Sequence, residues 1–376
     1  MFLALKERAR AKARFGLLIS AIGLLVFLIL FQQSLQNGLL TSFVGAIRNQ
    51  SAPVLVYTVD GQRVIQGSVI TPDLEQQVRT LPEVGAAGRI GQGTFSVTVE
   101  GATGPELTDA TVLGHESDEL GGPTTLVSGR LASAPGEAVG SDADASIGFG
   151  IGDVVRVEPG GFEVVVVGLA RDVQLNAGPT LFVDYPTYLD TVRAANPDAG
   201  EPLPNVIALD PADGVSPEQL VVAVNALSDD LDALTATDAA DLTPGVAQVR
   251  QSFQVIFLLY GLVIPCITGL FFLIITFQKS RALTLLRAIG APARRLVAAL
   301  LVQAVIIVGL GYLIGLALYT PLSRQRLGGI PLRFETTAVI AWAVLLVVLG
   351  LGSSLVAARR VLRIDPIEAT TGGGGR

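Results

Sequence analysis

The side chains able to do proton or metal chemistry are sparse in this chain. His115 is its one histidine and Cys266 its one cysteine, so no His/Cys metal cluster and no disulfide can be assembled within it. His115 lies in LGHESDE, residues 113–119, beside Glu116, Asp118 and Glu119. A Ser-His-Asp triad would have to use this residue, but the surrounding acids point to a surface position in an acidic loop. A carboxylate calcium site is conceivable in the stretch DADAS at 142–146, but the D-x-[DN]-x-[DN]-G spacing of a calcium loop is missing. The stretch also lacks the distant glutamate such a loop needs, and reads as a solvated loop. A phosphate loop requires a Gly-Lys pair whose lysine reaches the β and γ phosphates. The three lysines, Lys6, Lys12 and Lys279, follow Leu5, Ala11 and Gln278. The chain therefore carries no such loop and is not expected to be an enzyme that hydrolyses ATP.

The elements that would hold any site are dominated by apolar runs. Half of the 376 residues are hydrophobic and the mean hydropathy is +0.56, too apolar for one water-soluble domain. Four runs stand out, and we expect transmembrane helices over 15–37 (with the start of a stalk), 253–277, 296–318 and 337–357. A signal peptide is the alternative for the first, but no small-x-small cleavage site follows Phe31. The basic stretch 1–14 reads as cytoplasmic, either a plain anchor or a helix lying on the inner surface. The loop 278–295 holds five basic residues, Lys279, Arg281, Arg287, Arg294 and Arg295, and no acid. It and the tail 358–376 then also lie inside, and the short loop 319–336 lies outside. Arg324, Arg326 and Arg333 work against that last placement. The long segment 38–252 lies outside and carries 29 acidic and 9 basic residues, none of them lysine.

Within 38–252, Val54–Val59 reads as a strand. Thr71 and Pro72 start a helix over 72–80, and Ser216 with Gln219 forms a capping box for another. Further strands are expected over 94–99, 111–113, 125–127, 180–184 and 205–209, a helix over 186–195, and a hairpin pairing 153–157 with 162–169 around Pro159-Gly160-Gly161. Two βαβ-like blocks, at about 50–100 and 180–240, would flank a mostly β insert. The expected fold class is thus an α-helical membrane domain of four transmembrane helices plus an α+β, two-lobed extracytoplasmic domain inserted between helices 1 and 2. In the third span Gly311 and Gly315 form a small-xxx-small pair, and Gly350 lies in the fourth, all suited to close helix packing. No charged residue lies inside any span, which argues against an ion-coupled transporter.

Three stretches together resemble the permease subunits of MacB/FtsX/LolC-type ABC transporters, the mechanotransmission (type VII) family. The inner loop SRALTLLRAIGAP (280–292) is similar to that family's R-E-I-G-L-L-R-A-I-G-A stretch. GGPTTLVSGRLASAPGEAVGSD (121–142), IGDVVRV (151–157) and FEVVVVGLARD (162–172) resemble its outer-domain pattern. AARRVLRIDPIEAT (357–370) resembles its tail. The order of one span, a large outer domain and three spans is also the family's. Ala282 stands where many members have Glu, and Thr284 where they have Gly.

The resemblance implies a multi-pass protein of the bacterial cytoplasmic (inner) membrane with both termini inside. It implies a second permease chain, in a homodimer or heterodimer, and a separate ABC ATPase subunit carrying the ATP and Mg. This chain itself would hold no cofactor. The ATPase would be gripped by Arg281, Leu283, Leu285, Leu286, Arg287, Ile289 and Gly290. ATP-driven movement of the outer domains would export or extract an amphiphile such as a drug, lipid, lipoprotein or peptide. The alternative is an FtsX-like regulator that transports nothing and activates a cell-wall hydrolase or signalling partner. An outer adaptor, lipoprotein or hydrolase and the membrane lipids complete the expected partners; nucleic acid is not among them.

Overall fold

The computed structural model describes residues 2–101, 104–198, 200–278, 292–327 and 330–362. The chain divides into two compact units, one of residues 37–250 with 327–331, the other of the remaining segments.

The first unit is an α/β unit built on one ten-stranded sheet. Its elements in order are β1 (Val54–Thr58), α2 (Pro72–Arg79), β2 (Val84–Gly101), β3 (Gly104–His115), β4 (Leu126–Gly129), β5 (Glu137–Ser141), β6 (Val154–Val157), β7 (Phe162–Ala170), β8 (Thr180–Asp184), α3 (Tyr185–Ala195), β9 (Val206–Pro211), α4 (Pro217–Asn225), β10 (Leu231–Thr235) and α5 (Ala236–Leu242). The end of a long first helix, α1 (Phe2–Arg48), precedes them, and α6 (Val246–Gln278) follows. The strand order is β10-β1-β9-β2-β3-β8-β5-β7-β4, with β6 beside β2 and β7.

The starts of the helices follow from local chemistry. Thr71 caps α2, its hydroxyl accepting from the Leu74 amide, with Pro72 at the first helical position. Ser216 and Gln219 form the reciprocal capping box of α4. Each arrangement satisfies amides that no helical carbonyl can reach. The hairpin of β6 and β7 pairs Val154 with Val165 and Val157 with Phe162, as its Pro-Gly-Gly turn suggests.

The two expected βαβ blocks are corrected by the strand pairing. β1 and β2 both run antiparallel to β9, which lies between them; β9 and β10 both run antiparallel to β1. These are two interleaved split βαβ units in the order β10-β1-β9-β2. Neither block is separate in space, because each contributes the strand that the other encloses. Val54, Val56, Ile207, Leu209, Leu220 and Val224 form their core beneath α2 and α4. The strand Thr180–Asp184 and α3 belong to the insert rather than to the second block, since β8 pairs parallel with β3. β2 is also far longer than the expected 94–99. Gly85, Gly88, Gly91 and Gly93 hide its β character, and Tyr188 of α3 packs where side chains at Gly91 and Gly114 would stand.

The second unit is helical. α1 begins at Phe2, so residues 2–14 are its first turns and not a separate surface helix. It is joined by α6, α7 (Ala293–Leu322) and α8 (Thr336–Leu362). Among the described residues, three helical stretches are long and apolar enough to cross a membrane: Phe15–Arg48, Val246–Ile264 and Leu301–Leu322. The fourth expected span coincides with α8, whose described apolar stretch, Thr336–Gly352, is shorter. Between α7 and α8 a two-stranded ribbon, β11 (Arg326–Leu327) with β12 (Ile330–Pro331), was not expected from the sequence.

Glycines set the helix contacts. A Cβ on Gly311 would stand 2.6 Å from Ile22 Cγ2, and one on Gly315 2.6 Å from the Gly23 carbonyl oxygen. A Cβ on Gly23 would be 3.2 Å from the Gly311 carbonyl oxygen. α1 and α7 therefore touch backbone to backbone, the approach that small residues permit. Gly350 of α8 faces Val308 of α7, 2.9 Å from Cγ2 by the same measure. Phe257 of α6 lies against Trp342 of α8, ring centroids 5.7 Å apart.

Gly315→Val must push against the Gly23 backbone, so we expect a loss of about 2 kcal/mol or more. Gly309→Ala and Gly352→Ala, where a Cβ meets nothing within 4 Å, should be neutral or slightly stabilising by helix propensity. Thermal unfolding of the detergent-solubilised chain checks both.

Candidate functional site: the seat of the first helix

The last turns of α1 are built into the core of the α/β unit. Leu40, Val44, Ala46 and Ile47 are buried there with Ala52, Leu55 and Tyr57, with Ala239 and Ala240 of α5, and with Val246 of α6. Burying Leu40, Val44 and Ile47 contributes about 2 kcal/mol each. That outweighs any exposed ion pair nearby.

The helix is also sewn to the loop 171–178 through its backbone. The Ala46 amide donates to the Gln174 carbonyl at 3.0 Å, the Asn176 amide to the Phe43 carbonyl at 3.0 Å and the Ala177 amide to the Ser42 carbonyl at 2.8 Å. Asn49 Nδ2 donates to the Asp172 carbonyl at 2.7 Å. These bonds require a break in α1, and it falls at Val44, with φ −133 and ψ 16. The loop meets the helix by taking left-handed backbone at Asp172, Asn176 and Ala177, φ 60, 53 and 57. Gly45 faces the Asp172 carbonyl so closely that a Cβ would collide with it.

A buried polar relay crosses this contact. Ser42 Oγ donates to Gln174 Oε1 at 2.9 Å, and Gln174 Nε2 donates to Asp144 Oδ1 at 2.7 Å. Ser42, Gln174 and Asp144 are all buried. The DADAS stretch is thus not a solvated loop: its second aspartate anchors the relay. Among the described residues no group of three or more His, Cys, Asp or Glu side chains is placed to hold a metal.

Asp241 of α5 ties the two long helices together. Its Oδ1 accepts from Arg250 Nη2 of α6 at 2.7 Å and from Arg48 Nη2 of α1 at 2.5 Å. The hydrogen bond from Arg250, with the two positive charges, outweighs partial burial and holds the Asp241 carboxyl below its ordinary range. The trio is half exposed, so its contribution to stability is about 1 kcal/mol or less.

The site residues expected from the sequence fall into two groups. Gly311, Gly315 and Gly350 sit at the helix contacts described above. Arg281, Leu283, Leu285, Leu286, Arg287, Ile289 and Gly290, with Ala282, lie outside the described residues, as does the tail from 363. Sequence reasoning missed the seat itself. Asn176-Ala177-Gly178 is a turn signal, but nothing in the sequence says that the turn pairs with residues 42–46, more than a hundred positions earlier. His115 was misplaced as well. It is buried at the end of β3, and the acids that suggested a surface loop follow it into the turn.

Gln174→Leu removes the centre of the relay and leaves a buried carboxylate short of a donor. It should cost about 2 kcal/mol, whereas Asp241→Asn should cost less than about 1 kcal/mol. The Asp241 contribution is complete above the ordinary carboxylate pKa and is lost as pH falls through the depressed value in the folded chain. Thermal unfolding of the two variants between neutral and acidic pH checks the order and the sign.

Residues 254–366 match the FtsX-like permease C-terminal family. Over 375 residues the chain is 25% identical to an uncharacterized ABC transporter permease of Mycobacterium tuberculosis, covering 99% of each. It is 29% identical over 102 residues to a putative hemin transport system permease protein, HrtB, of Staphylococcus haemolyticus, covering 27% of this chain and 29% of that one. Among solved structures, the periplasmic region of MacB from Actinobacillus actinomycetemcomitans aligns with a TM-score of 0.36 at 15% identity, covering 51% of this chain and 92% of that one. The extracellular domain of the transporter YknZ, from Gram-positive bacteria, aligns at 0.33 and 13%, covering 49% and 99%. Residues 254–366 are thus similar to the FtsX-like permease C-terminal domain, and the chain as a whole is similar, end to end, to an ABC transporter permease.

Proposed function

We propose that this permease converts ATP hydrolysis by a separate ATPase subunit into movement of its α/β unit outside the cytoplasmic membrane, and so exports or extracts an amphiphile. The observation that carries this reading is the seat. α1 and α6 are both apolar enough to cross a membrane, and both enter the core of the α/β unit, joined there through Asp241.

The charge pattern supports the direction. The inner loop 278–295 and the N-terminus are basic, and the segment 38–252 is strongly acidic, the asymmetry that places basic loops in the cytoplasm. In this scheme the inner loop receives the ATPase. Leu283, Leu285, Leu286 and Ile289 would supply apolar contacts there, Arg281 and Arg287 charge, and Gly290 the end of the contact stretch. Because Ala282 replaces a glutamate common in the family, the grip relies on the arginines and the apolar face. ATP and Mg stay on the partner. A second permease chain completes the assembly, and an outer adaptor or lipoprotein would take the amphiphile onward.

Mild solubilisation of the native membrane and purification through a C-terminal tag should recover an ATP-binding subunit. Changing Leu285, Leu286 and Ile289 together to Asp should abolish that recovery while the permease still purifies. An outer adaptor in the same preparation supports export. A cell-wall hydrolase or sensor kinase in its place supports the regulatory role. Absence of any ATPase under several gentle conditions overturns the coupling.

A further inference from the structure

The exit of α1 from its seat is held by a second loop, and that loop rests on the chain's one histidine. Directly after α1, residues 49–51 are bonded to residues 118–124. Ser51 Oγ donates to the Asp118 carbonyl at 2.9 Å and accepts from the Gly121 amide at 3.0 Å. The Ser51 amide donates to the Gly122 carbonyl at 2.9 Å, and the Thr124 amide to the Asn49 carbonyl at 3.0 Å. The Thr124 hydroxyl donates to the same carbonyl at 2.8 Å.

His115 lies beneath this loop. Its ring is 6.4 Å from that of Phe182 on β8, and Nε2 is 3.7 Å from Asp118 Oδ1. Gly121 packs onto it so that a Cβ there would stand 3.2 Å from His115 Cβ. Nδ1 is buried and has no hydrogen-bond partner among the described residues. The charges facing the ring are few. Asp118 comes from its own loop, and Asp184 is its register partner on β8 and caps α3 through the Thr187 amide. Glu116, next in the chain, is already held by Arg79 of α2 and by the Arg89 amide of β2.

We propose that His115 is an acid-sensitive latch: protonation of its imidazole expels the ring and releases the 118–124 loop from the exit of α1. A charged imidazolium carries a proton on both nitrogens, and the one on Nδ1 would point into a buried site with no acceptor among the described residues. Burial is also the main force that holds this imidazole below the ordinary histidine value, against the pull of Asp118, a hydrogen bond to the Ser117 backbone and Asp184. The sign follows. The latched state keeps the ring neutral while the open state binds a proton, so the latch is secure above a pH of about 6.5 and weakens as pH falls below it. The loop is joined to residues 49–51 by these hydrogen bonds and through Leu120, buried in the core beside them; a segment of this size opens locally without global unfolding. Use of the latch to sense acidity outside the cell rests on the topology proposed above; the latch itself does not.

The test is hydrogen exchange of the full, untagged chain in lipid nanodiscs, corrected for intrinsic rates and read on peptides covering residues 46–52 and 116–124. Between about pH 7.5 and about pH 5.5 the opening of both should rise severalfold, up to the ceiling of about tenfold for a group that titrates near 6.5 only when open. His115→Phe should hold the change within about twofold, while Asp118→Asn should keep the response, because the imidazole and not the carboxylate titrates. A response that survives in His115→Phe, or is absent in the parent chain, overturns the latch. Should His115→Phe fail to fold, C2 deuterium exchange of the single histidine in the parent chain decides. A midpoint below that of an exposed histidine supports the latch, and a midpoint at or above it refutes it. A negative result leaves the ATPase coupling untouched, and failure to recover an ATPase leaves the latch untouched.

Discussion

The architecture depends on one packing event, the burial of the last turns of α1 in the core of the α/β unit. Leu40, Val44 and Ile47 go into the same apolar cluster as Leu55 and Tyr57 of β1. Backbone amides can be buried there only if they are paired. The break at Val44 and the left-handed residues of loop 171–178 supply those pairs. The Ser42–Gln174–Asp144 relay then satisfies the side chains caught in the contact. Asp241 adds an electrostatic tie between α1 and α6, but its exposure makes it a guide to register more than a source of stability.

The helical unit solves a different problem. Its helices are apolar on nearly every face, so the hydrophobic effect does not choose which faces meet in a membrane. Shape does, and the shape comes from glycine. Gly23 of α1 lies opposite Gly311 and Gly315 of α7, and the backbones approach to contact. No Asp, Glu, Lys or Arg lies within the four apolar runs of the sequence.

Much of this was legible in the sequence, and the boundary of what was legible has physical causes. Local signals held: Thr71-Pro72, Ser216 with Gln219, and the Pro-Gly-Gly turn each act within a few residues, and each forms as read. Apolar runs long enough to cross a membrane were readable because length and composition suffice. Signals that depend on distant partners failed. The interleaving of the split βαβ units is set by β9 pairing with β1 and β2, elements separated from it by more than a hundred residues. The length of β2 was hidden by its glycines, of which Gly91 leaves room for Tyr188. His115 and Asp144 were read as solvated because their neighbours are acidic, yet the fold turns those neighbours outward and these two inward. The seat of α1 combined all these failures, since it joins residues near 45, 120, 144, 174 and 241.

The central claim is that α1 and the sheet unfold as one body at neutral pH. Native-state hydrogen exchange with increasing denaturant tests it most directly, at the amides of Ala46, Asn176 and Ala177. If the seat is part of the core, these amides exchange only through global unfolding, with the same denaturant dependence as amides in β1 and β9. If they exchange by a smaller opening while β1 and β9 remain protected, the helix is not fixed to the sheet, and transmission through the seat is contradicted.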